Sequence, residues 1–234
     1  MTVVNRETSV IIPAYNEERN LGRVIQNLRS SLSGYDLQII VVDDGSSDRT
    51  TEVAKSEGTF LIRHPVNRGK GAAFRSGIPA IEKEFVVQID ADHQFQPSDI
   101  PKLLLELEQG SDIVLGSRFK GGRIETGSVN IVNRFGNWLM STATSLAAGT
   151  KVYDIMAGFK AFRTEALKKL NLQTDHFGYE AEIVVKAGKL GLKIAEVPIT
   201  YSKRLDGVSN VKTLRDGTLV LMTIAKTYFQ KNHQ

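Results

Sequence analysis

Short apolar runs alternate with segments of helical periodicity through the first half of the chain. Short, largely apolar runs predict five strands. They are 8–15, the opening of 37–48 before it breaks into a turn, 59–63, the opening of 86–97 before its acidic end, and 112–119. The segments 17–32, 49–58 and 72–81 instead space their apolar residues as helices do, and Gly58 is placed to end the second of them. Strands that alternate with helices predict an α/β fold with a mostly parallel central sheet.

Acidic residues follow three of the predicted strands, at the point where each strand ends. Glu17 comes after the first strand, Asp44 after the second, and Asp90 and Asp92 after the fourth. The carboxyl ends of parallel strands meet at one edge of a sheet, and ligands of such folds bind beyond that edge. We therefore expect these carboxylates to belong to one site.

The stretch "IDADHQFQP" (89–97) places Asp90 and Asp92 with only Ala91 between them. On an extended chain, side chains two residues apart point the same way and lie roughly 6–7 Å apart. Two like charges in that arrangement repel each other unless a cation lies between them. A polar turn at the end of a strand is the alternative, but the pair of carboxylates favours a divalent-metal site.

A glycine-rich loop, "NRGKGAAFRSG" (67–77), precedes the fourth strand. It is not a dinucleotide-binding fingerprint, because Phe74 stands where a glycine is needed. Nor is it a phosphate-binding P-loop, because Gly71 stands where Ser or Thr is needed. Gly69 and Gly71 around Lys70 indicate either a backbone close to a ligand or a flexible turn before a helix, and the sequence leaves both open.

The amino-acid composition limits the domain size, the kinds of site and the cellular compartment to consider for this protein. The chain has 234 residues, 41% hydrophobic and 24% charged, which suits one large domain of ordinary soluble composition. It has no cysteine, so disulfides and thiolate metal sites are excluded and a cytoplasmic setting fits. The opening residues lack the pattern of a signal peptide, and the apolar run 219–225 is far too short to cross a bilayer.

The net charge of +4 is concentrated near the end of the chain. Residues 201–234 contain six Lys or Arg against two Asp. Nucleic acid is the first partner to consider for a basic protein, but aromatic residues are not interleaved with this charge, so we expect no nucleic-acid partner. Phosphorylated small molecules or an anionic membrane surface explain the charge equally well.

Six motifs, in this order and at this spacing, carry a resemblance to a known family. They are "VIIPAYNEERNL", "IIVVDDGSSDRT", "NRGKGAA", "IDADHQFQP", "DIVLGSRF" and "DIMAGFKAF". Together they resemble the family 2 inverting glycosyltransferases, and most closely the dolichol-phosphate mannose synthases and their polyprenyl-phosphate glucose relatives. The resemblance runs from Ser9 to about Lys212. It implies a GT-A fold, a nucleotide-sugar donor, and Mg²⁺ or Mn²⁺ held by the Asp-x-Asp turn.

The resemblance also implies a role for individual residues. The pocket for the nucleotide base and ribose would be formed by Pro13, Tyr15, Glu17, Val42 and Asp44. The metal and the diphosphate would be held by Asp90, Ala91, Asp92 and Gln94. Arg118 and Arg134 would receive an acceptor phosphate, and Arg204 would face the donor. Asn210 departs from the family, where a lysine is common. Either Lys212 replaces that lysine in a loop, 202–212, that closes over the diphosphate, or this branch handles the diphosphate differently.

The acceptor decides whether the site needs a general base. A sugar hydroxyl must lose a proton to a positioned carboxylate. A lipid monophosphate has a second pKa of about 6 and is already an oxyanion at neutral pH, so the two arginines favour a phosphate acceptor. Among the remaining carboxylates, Asp154 is either an active-site group or a cap of a helix or loop. Glu180 and Glu182 are expected to lie in the solvated first turn of a helix.

Two amphipathic segments are candidates for contact with a membrane. Segment 128–149 places five apolar residues near one face: Ile131, Phe135, Trp138, Leu139 and Leu146. Segment 213–229 is more apolar, but ordinary packing on the core is the favoured interpretation there. We expect a peripheral protein on the cytoplasmic face of a membrane, with 1–212 as the catalytic domain and 213–234 as a C-terminal helix and basic tail.

The leading hypothesis is an enzyme that transfers a hexose, foremost mannose from GDP-mannose, to a polyprenyl (dolichyl) phosphate. UDP-glucose as the donor, or a glycan hydroxyl as the acceptor, is the alternative within the same chemistry. A nucleotidyltransferase would open with a glycine-rich loop, and "IIPAYNEE" (11–18) is not one. A non-catalytic nucleotide-sugar-binding protein would not require the combination of Asp90, Asp92, Arg118 and Arg204.

Overall fold

The computed structural model describes residues 6–204 and 213–230. The strands are β1 (Glu7–Ala14), β2 (Asp36–Asp43), β3 (Phe60–Arg63), β4 (Phe85–Gln88), β5 (Ile113–Ser117), β6 (Arg123–Ile124), β7 (Lys160–Arg163), β8 (Ile194–Pro198) and β9 (Thr200–Tyr201). The helices are α1 (Leu21–Ser31), α2 (Thr50–Ser56), α3 (Lys70–Gly77), α4 (Ile100–Glu108), α5 (Ile131–Ala148), α6 (Thr164–Lys169), α7 (Tyr179–Lys189) and α8 (Thr213–Phe229). Each of the five strands predicted in the first half is present.

Seven of these strands form one sheet in the order β3-β2-β1-β4-β7-β5-β8. β1 pairs in parallel with β2 and β4, β2 with β3, and β5 with β8. β7 alone runs antiparallel in this sheet, between β4 and β5. The predicted α/β fold with a mostly parallel central sheet is confirmed. The carboxyl ends of β1, β2, β4 and β5 therefore share one edge, and the candidate residues follow those ends.

The core lies on both faces of the sheet, because side chains of a strand alternate between the two faces. Val10 and Ile12 of β1 pack with α1 and α4 on one face. Ile11 packs with α3 and α7 on the other face. Both faces are covered by helices, as a largely parallel sheet requires, so only the edges of the sheet are open to a ligand.

The C-terminal helix α8 packs on α5 and α7. Its Val220 and Ile224 lie in the part of the core that contains Ile11 of β1, which matches the core packing expected for this segment. Lys189 of α7 donates hydrogen bonds of 3.0 Å to the carbonyls of Thr227 and Tyr228 near the end of the helix. The separation of the chain into a catalytic domain and a tail at 212/213 stays a prediction.

The first turn of α7 is buried, so the expectation that Glu180 and Glu182 are solvated is wrong. Their residues are only 1% and 2% exposed. Gly178, just before the helix, packs closely on α8, because a Cβ at that position would collide with Thr223. Both carboxylates therefore lie in the interior, where each needs a partner.

Glu182 uses its carboxylate to hold the loop before α7. It accepts hydrogen bonds of 2.9 Å from the backbone N–H groups of Gln173 and Thr174. It also forms an ion pair of 2.6 Å with Lys186 one turn along the helix. Burial raises the pKa of Glu182, but Lys186 and Thr174 lower it more, so the pKa lies below its usual value.

The loop held by Glu182 explains two glycines of the glycine-rich loop. A Cβ at Gly69, whose φ is +102°, would collide with Asp175 and His176. A Cβ at Gly71 would collide with the carbonyl of Thr174. The close backbone approach inferred from these glycines is therefore an approach to residues 174–176, and the loop that carries Lys70 is tightly packed rather than flexible.

Glu182→Gln is expected to destabilise the protein at pH 7 by about 1–3 kcal/mol, because the amide satisfies the two N–H donors less well and loses the ion pair. The pKa of Glu182 is depressed in the folded state, so its stabilisation is fully present above the unfolded pKa and is lost as the pH falls through the folded pKa. The difference between wild type and variant in urea unfolding should therefore shrink on going from pH 7 to pH 4. Glu165→Gln, at an exposed position of α6, is the control and should match wild type at both pH values. A difference that is unchanged at pH 4 would contradict the assignment.

Candidate active site

One guanidinium joins two of the three acidic strand ends. Arg204 Nη2 lies 2.6 Å from Asp92 Oδ2, and its Nη1 lies 3.2 Å from Glu17 Oε1. The segment that carries Arg204 is held by Gln94, which accepts a hydrogen bond from the N–H of Ser202 and donates one to its carbonyl. The turn after β4 and the segment after β9 are thus tied together around Asp92.

Asp90 lies two residues beyond the end of β4 at Gln88, and Asp92 lies in the turn that follows. The prediction that an extended strand carries both residues is therefore wrong. Asp92 faces Arg204, while Asp90 Oδ1 lies 2.7 Å from Lys70 Nζ. Burial raises the pKa of Asp90, Lys70 opposes the rise and the charge of Asp92 adds to it, which leaves a pKa of about 6.

The turn offers two carboxylates to a divalent cation. Within the described ranges, no three His, Asp or Glu side chains surround a common point, so the protein alone does not complete a coordination shell. Asp90 Oδ1 is buried and, beyond its ion pair with Lys70, accepts no well-formed hydrogen bond. Mg²⁺ is commonly held by one or two carboxylates together with phosphates and water, so these residues fit such an ion. The Gln94 amide is bonded to the carbonyl of Ser202, and its place at the metal is only a prediction.

The residues predicted to hold the nucleotide gather at the carboxyl ends of β1, β2 and β4. Pro13 and Val42 are register partners in β1 and β2, and both are buried. Tyr15 is half-buried just beyond β1, and Ala91 is buried in the turn after β4. Burial raises the pKa of Glu17, although a hydrogen bond from Asn20 and the charge of Arg204 oppose the rise. The structure brings these residues to one edge, and their contacts with a nucleotide stay a prediction.

Asp44 holds the glycine-rich loop against this edge. It is buried and accepts hydrogen bonds from His64 Nδ1 at 2.6 Å and from the N–H groups of Arg68 and Gly69 at 2.9 and 2.8 Å. Asp44 therefore fixes the loop that leads directly into Lys70. This structural role was not visible in the sequence, which offered only a ribose contact for the residue.

Arg118 extends from the end of β5 and is held by Asp154. The Asp154 carboxylate is fully buried and accepts three hydrogen bonds of 2.8 Å, from the backbone N–H, Nε and Nη2 of Arg118. The guanidinium also lies over the rings of Phe119 and Tyr201, with Cζ 5.2 and 5.0 Å from their centroids. Burial lowers the pKa of Arg118, but Asp154 and Tyr201 raise it by more, so the pKa lies above its usual value. The guanidinium is therefore permanently charged. Of the two interpretations of Asp154, the geometry favours a group that orients Arg118.

Arg118 and Arg134 open onto different cavities. Arg118 lines a cavity of about 440 Å³ that also contains Asp92 and Arg204, here called the Arg118 cavity. Arg134 lines another cavity, of about 690 Å³, here called the Arg134 cavity. Phe119 lines both, and each guanidinium lies over its ring. The two arginines thus lie on one ring between neighbouring cavities, and their common contact with an acceptor phosphate stays a prediction.

One wall of the Arg118 cavity is apolar and is formed by α5 and α8. Its residues include Val132, Phe135, Leu139, Met140, Val220 and Leu221. The cavity therefore combines a charged region with an extended apolar surface. Such a combination suits a ligand that is itself charged at one end and apolar at the other.

The apolar face of α5 that the sequence indicated is exposed. Its five residues, each at least 40% exposed, are Ile131, Phe135, Trp138, Leu139 and Leu146. On α8, Met222 and Phe229 are exposed opposite the buried stripe. Across the described helices, none has the length and apolarity needed to span a bilayer. An exposed apolar face of this size on one helix indicates an interaction surface.

A buried ion pair lies behind Asp90. Lys160 Nζ and Glu180 Oε2 are in direct contact, and neither side chain is more than 1% exposed. Glu180 Oε1 also lies 3.5 Å from Lys70 Nζ. Burial raises the pKa of Glu180, but Lys160 and Lys70 lower it more, so the carboxylate is ionised. The sequence analysis did not predict this ion pair, although a lysine within the apolar run "AGFKAF" (157–162) was a signal for it.

The expectations for loop 202–212 concern residues that the structure describes only as far as Arg204. Asn210 and Lys212 lie outside the described residues. Closure of the loop over a diphosphate, and the replacement of the family lysine by Lys212, therefore stay predictions.

A largely parallel sheet with an acidic turn and arginines at its carboxyl edge fits the class of glycosyltransferases with a GT-A fold. The sequence matches the family model described as Glycosyl transferase family 2 over residues 9–171. The chain belongs to glycosyltransferase family 2 and is a glycosyltransferase. The alternatives of a nucleotidyltransferase and of a non-catalytic binding protein are set aside by this membership.

Curated relatives include enzymes named for lipid-phosphate acceptors. The dolichol-phosphate mannosyltransferase of Pyrococcus furiosus is 35% identical over 213 residues, which are 88% of this chain and 59% of that protein. The dolichyl-phosphate hexose transferase of Haloferax volcanii is 30% identical over 225 residues, which are 96% of this chain and 95% of that protein. The chain thus spans nearly all of the Haloferax volcanii enzyme and little more than half of the Pyrococcus furiosus enzyme.

Solved structures confirm the fold. Glucosyl-3-phosphoglycerate synthase from Mycobacterium tuberculosis, in complex with phosphoglyceric acid, matches with a TM-score of 0.76 and 25% identity over 97% of this chain and 82% of that chain. Another structure of that enzyme contains Mn²⁺, UDP-glucose and phosphoglyceric acid. The similarity confirms the GT-A fold predicted for this chain.

Proposed function

We propose that this glycosyltransferase transfers a hexose, mannose from GDP-mannose, to a polyprenyl (dolichyl) phosphate. The observation that carries the proposal is the Arg118 cavity, which joins Asp92, Arg118 and Arg204 to the apolar wall formed by α5 and α8. A phosphate at the end of an apolar chain matches both parts of this cavity. The names of the two relatives, one a mannosyltransferase and both acting on dolichyl phosphate, support the acceptor and the choice of mannose.

The state of the spare carboxylates supports a phosphate acceptor. Each is buried and paired with a cation: Asp154 with Arg118, Glu180 with Lys160 and Glu182 with Lys186. None of these three is available to take a proton from a sugar hydroxyl, as a hydroxyl acceptor would require. A phosphate monoester is already ionised at neutral pH and needs only to be held, which Arg118 can do with the part of its guanidinium that Asp154 does not occupy.

On the donor side, Asp90 and Asp92 would hold Mg²⁺ or Mn²⁺ together with the diphosphate. When bound, the cation would neutralise the charge that develops on the departing nucleoside diphosphate. Arg204, which lies 2.6 Å from Asp92, would add a second positive charge on the same side. The protein would thus place the acceptor oxyanion and the donor in one cavity, where orientation lowers the barrier.

The lipid acceptor requires contact with a membrane, and α5 provides a surface for it. Trp138 and Leu146 are 59% and 80% exposed, and Arg134 lies on the same helix. Apolar residues of this kind would enter the headgroup layer while basic residues face anionic lipids. We infer a peripheral protein that acts at the cytoplasmic face of a membrane.

A transfer assay on liposomes tests the proposal. GDP-mannose or UDP-glucose is offered with either dolichyl phosphate or dolichol, in Mg²⁺, Mn²⁺ or EDTA. We expect transfer from GDP-mannose to dolichyl phosphate, dependent on the metal, and none to dolichol. Transfer from UDP-glucose alone would replace the proposed donor. Transfer to dolichol or to a free oligosaccharide would overturn the argument for a phosphate acceptor.

A further inference from the structure

Lys70 is a cation of the Arg118 cavity for which neither the motifs nor the proposed function provide a role. It is the first residue of α3, and its side chain is 17% exposed where it lines the cavity with Asp92. Its Nζ lies 2.7 Å from Asp90 Oδ1 and 3.5 Å from Glu180 Oε1. Lys70 therefore lies against one of the two carboxylates assigned to the metal, with a second carboxylate within reach.

The surroundings of Lys70 allow it few other positions. Glu180 is held in place by the fully buried Lys160. On another side, Gly158 packs directly on the ion pair, because a Cβ there would collide with the Asp90 carboxylate and with Lys70 Nζ. Lys70 thus has two anionic partners, and the space around it is limited by backbone.

We propose that Lys70 is the resident counter-cation of Asp90 and shifts to Glu180 when a divalent cation binds to the Asp-x-Asp turn. Glu180, fixed by Lys160, is then a positioning residue that receives the displaced ammonium group. The inference rests on the part of the proposed function that assigns Asp90 and Asp92 to a divalent cation. It adds a carboxylate partner for Lys70 in each of two states: Asp90 before the cation binds, and Glu180 afterwards.

Electrostatics favours such an exchange. Before the metal binds, Lys70 offsets the repulsion between Asp90 and Asp92. A cation bound at about 2.1 Å from the same carboxylate would lie close to Nζ, and two positive charges at that separation repel strongly in a partly buried site. Movement towards Glu180 increases the separation without leaving the ammonium group unpaired in the interior.

Titration with Mn²⁺ alone tests the exchange without acceptor or turnover. Binding is followed at pH 8 by the loss of the electron paramagnetic resonance signal of free Mn²⁺. In Lys70→Met the competing ammonium group is removed, so we expect the affinity for Mn²⁺ to rise about tenfold, the effect of one nearby charge. Lys83→Met is the matched control, because Lys83 forms an ion pair with Asp36 at the amino end of β2, and its affinity for Mn²⁺ should equal that of wild type.

A second set of variants tests the part played by Glu180. Glu180→Gln alone would leave Lys160 buried without a counter-ion, so Glu180→Gln and Lys160→Met are combined to remove the pair together. Lys70 then has only Asp90 as a partner, and we expect the affinity for Mn²⁺ to fall about tenfold. Adding Lys70→Met to this double variant should restore the affinity at least to that of wild type.

The outcomes separate this proposal from the proposed function. Tighter binding in Lys70→Met supports the competition between Lys70 and the metal, and weaker binding in the double variant assigns the displaced ammonium group to Glu180. Wild-type affinity in the double variant overturns that assignment. Unchanged or weaker binding in Lys70→Met, with a wild type that binds Mn²⁺, overturns the exchange and leaves the proposed function intact. A wild type that binds no Mn²⁺, with or without GDP or UDP, overturns both the metal assignment and the exchange.

Discussion

Replacing Asp92 with asparagine is expected to lower hexosyl transfer by roughly 10³-fold, the upper range for losing one group that stabilises developing charge. Asp92 would hold the divalent cation, and its Oδ2 already lies 2.6 Å from Arg204. Asparagine keeps the size of the side chain but loses the charge that both interactions need. The binding of the nucleotide sugar should also lose its dependence on metal. The measurements are kcat/KM for transfer and the Kd of GDP-mannose with and without Mn²⁺.

Asp112→Asn is the matched control for this variant. Asp112 lies just before β5, at the opposite edge of the sheet, where it accepts a hydrogen bond of 2.8 Å from the N–H of Lys193. Its replacement should keep transfer within about twofold of wild type, because it lies far from the site. Turnover near wild type in Asp92→Asn would remove Asp92 from the metal site. An equal loss in both variants would assign the effect to the fold.

Arg118→Ala is expected to lower kcat/KM for the polyprenyl phosphate by roughly 10²–10³-fold, since a permanently charged donor to the acceptor is removed. The Kd of the nucleotide sugar should change by less than about threefold, because the donor is held from the side of Asp92 and Arg204. Steady-state kinetics with varied dolichyl phosphate, together with calorimetric binding of GDP-mannose, separates the two effects. A change confined to the Kd of the donor would place Arg118 on the donor side.

Two further variants sharpen the assignment of Arg118. Asp154→Asn should produce the same selective loss to a smaller degree, because Arg118 keeps its charge but loses a carboxylate that accepts three hydrogen bonds. Arg134→Ala should affect the acceptor less than Arg118→Ala, because Arg134 lines the other cavity. Equal losses in the two arginine variants would instead indicate that both reach the same phosphate.

The local sequence pattern was sufficient to predict the sheet and the edge of the sheet at which the site lies. The apolar runs of β1, β2 and β4 are periodic signals within a few residues, and the rule that parallel strands end at one edge then placed Glu17 and Asp92 together. Arg204 indeed bridges these two residues in the structure. The same local reasoning was wrong in extending the strand through Asp90 and Asp92, because β4 ends at Gln88 and Asp92 lies in the turn that follows.

The sequence by itself determined the α/β order, the acidic turn and the family, because each depends on short-range periodicity or on motifs that are contiguous in the chain. Only the tertiary structure decided which charges are buried and which cation each carboxylate holds. Glu180 looked solvated in its own segment, yet in the fold it is buried against Lys160 of β7, and Lys70 reaches it across 110 positions of the chain. Asp154 and Arg118 are likewise 36 positions apart. Ion pairs of this kind depend on distances that arise only when the chain is folded, since the cost of burying a charge is set by its neighbours in space rather than in sequence.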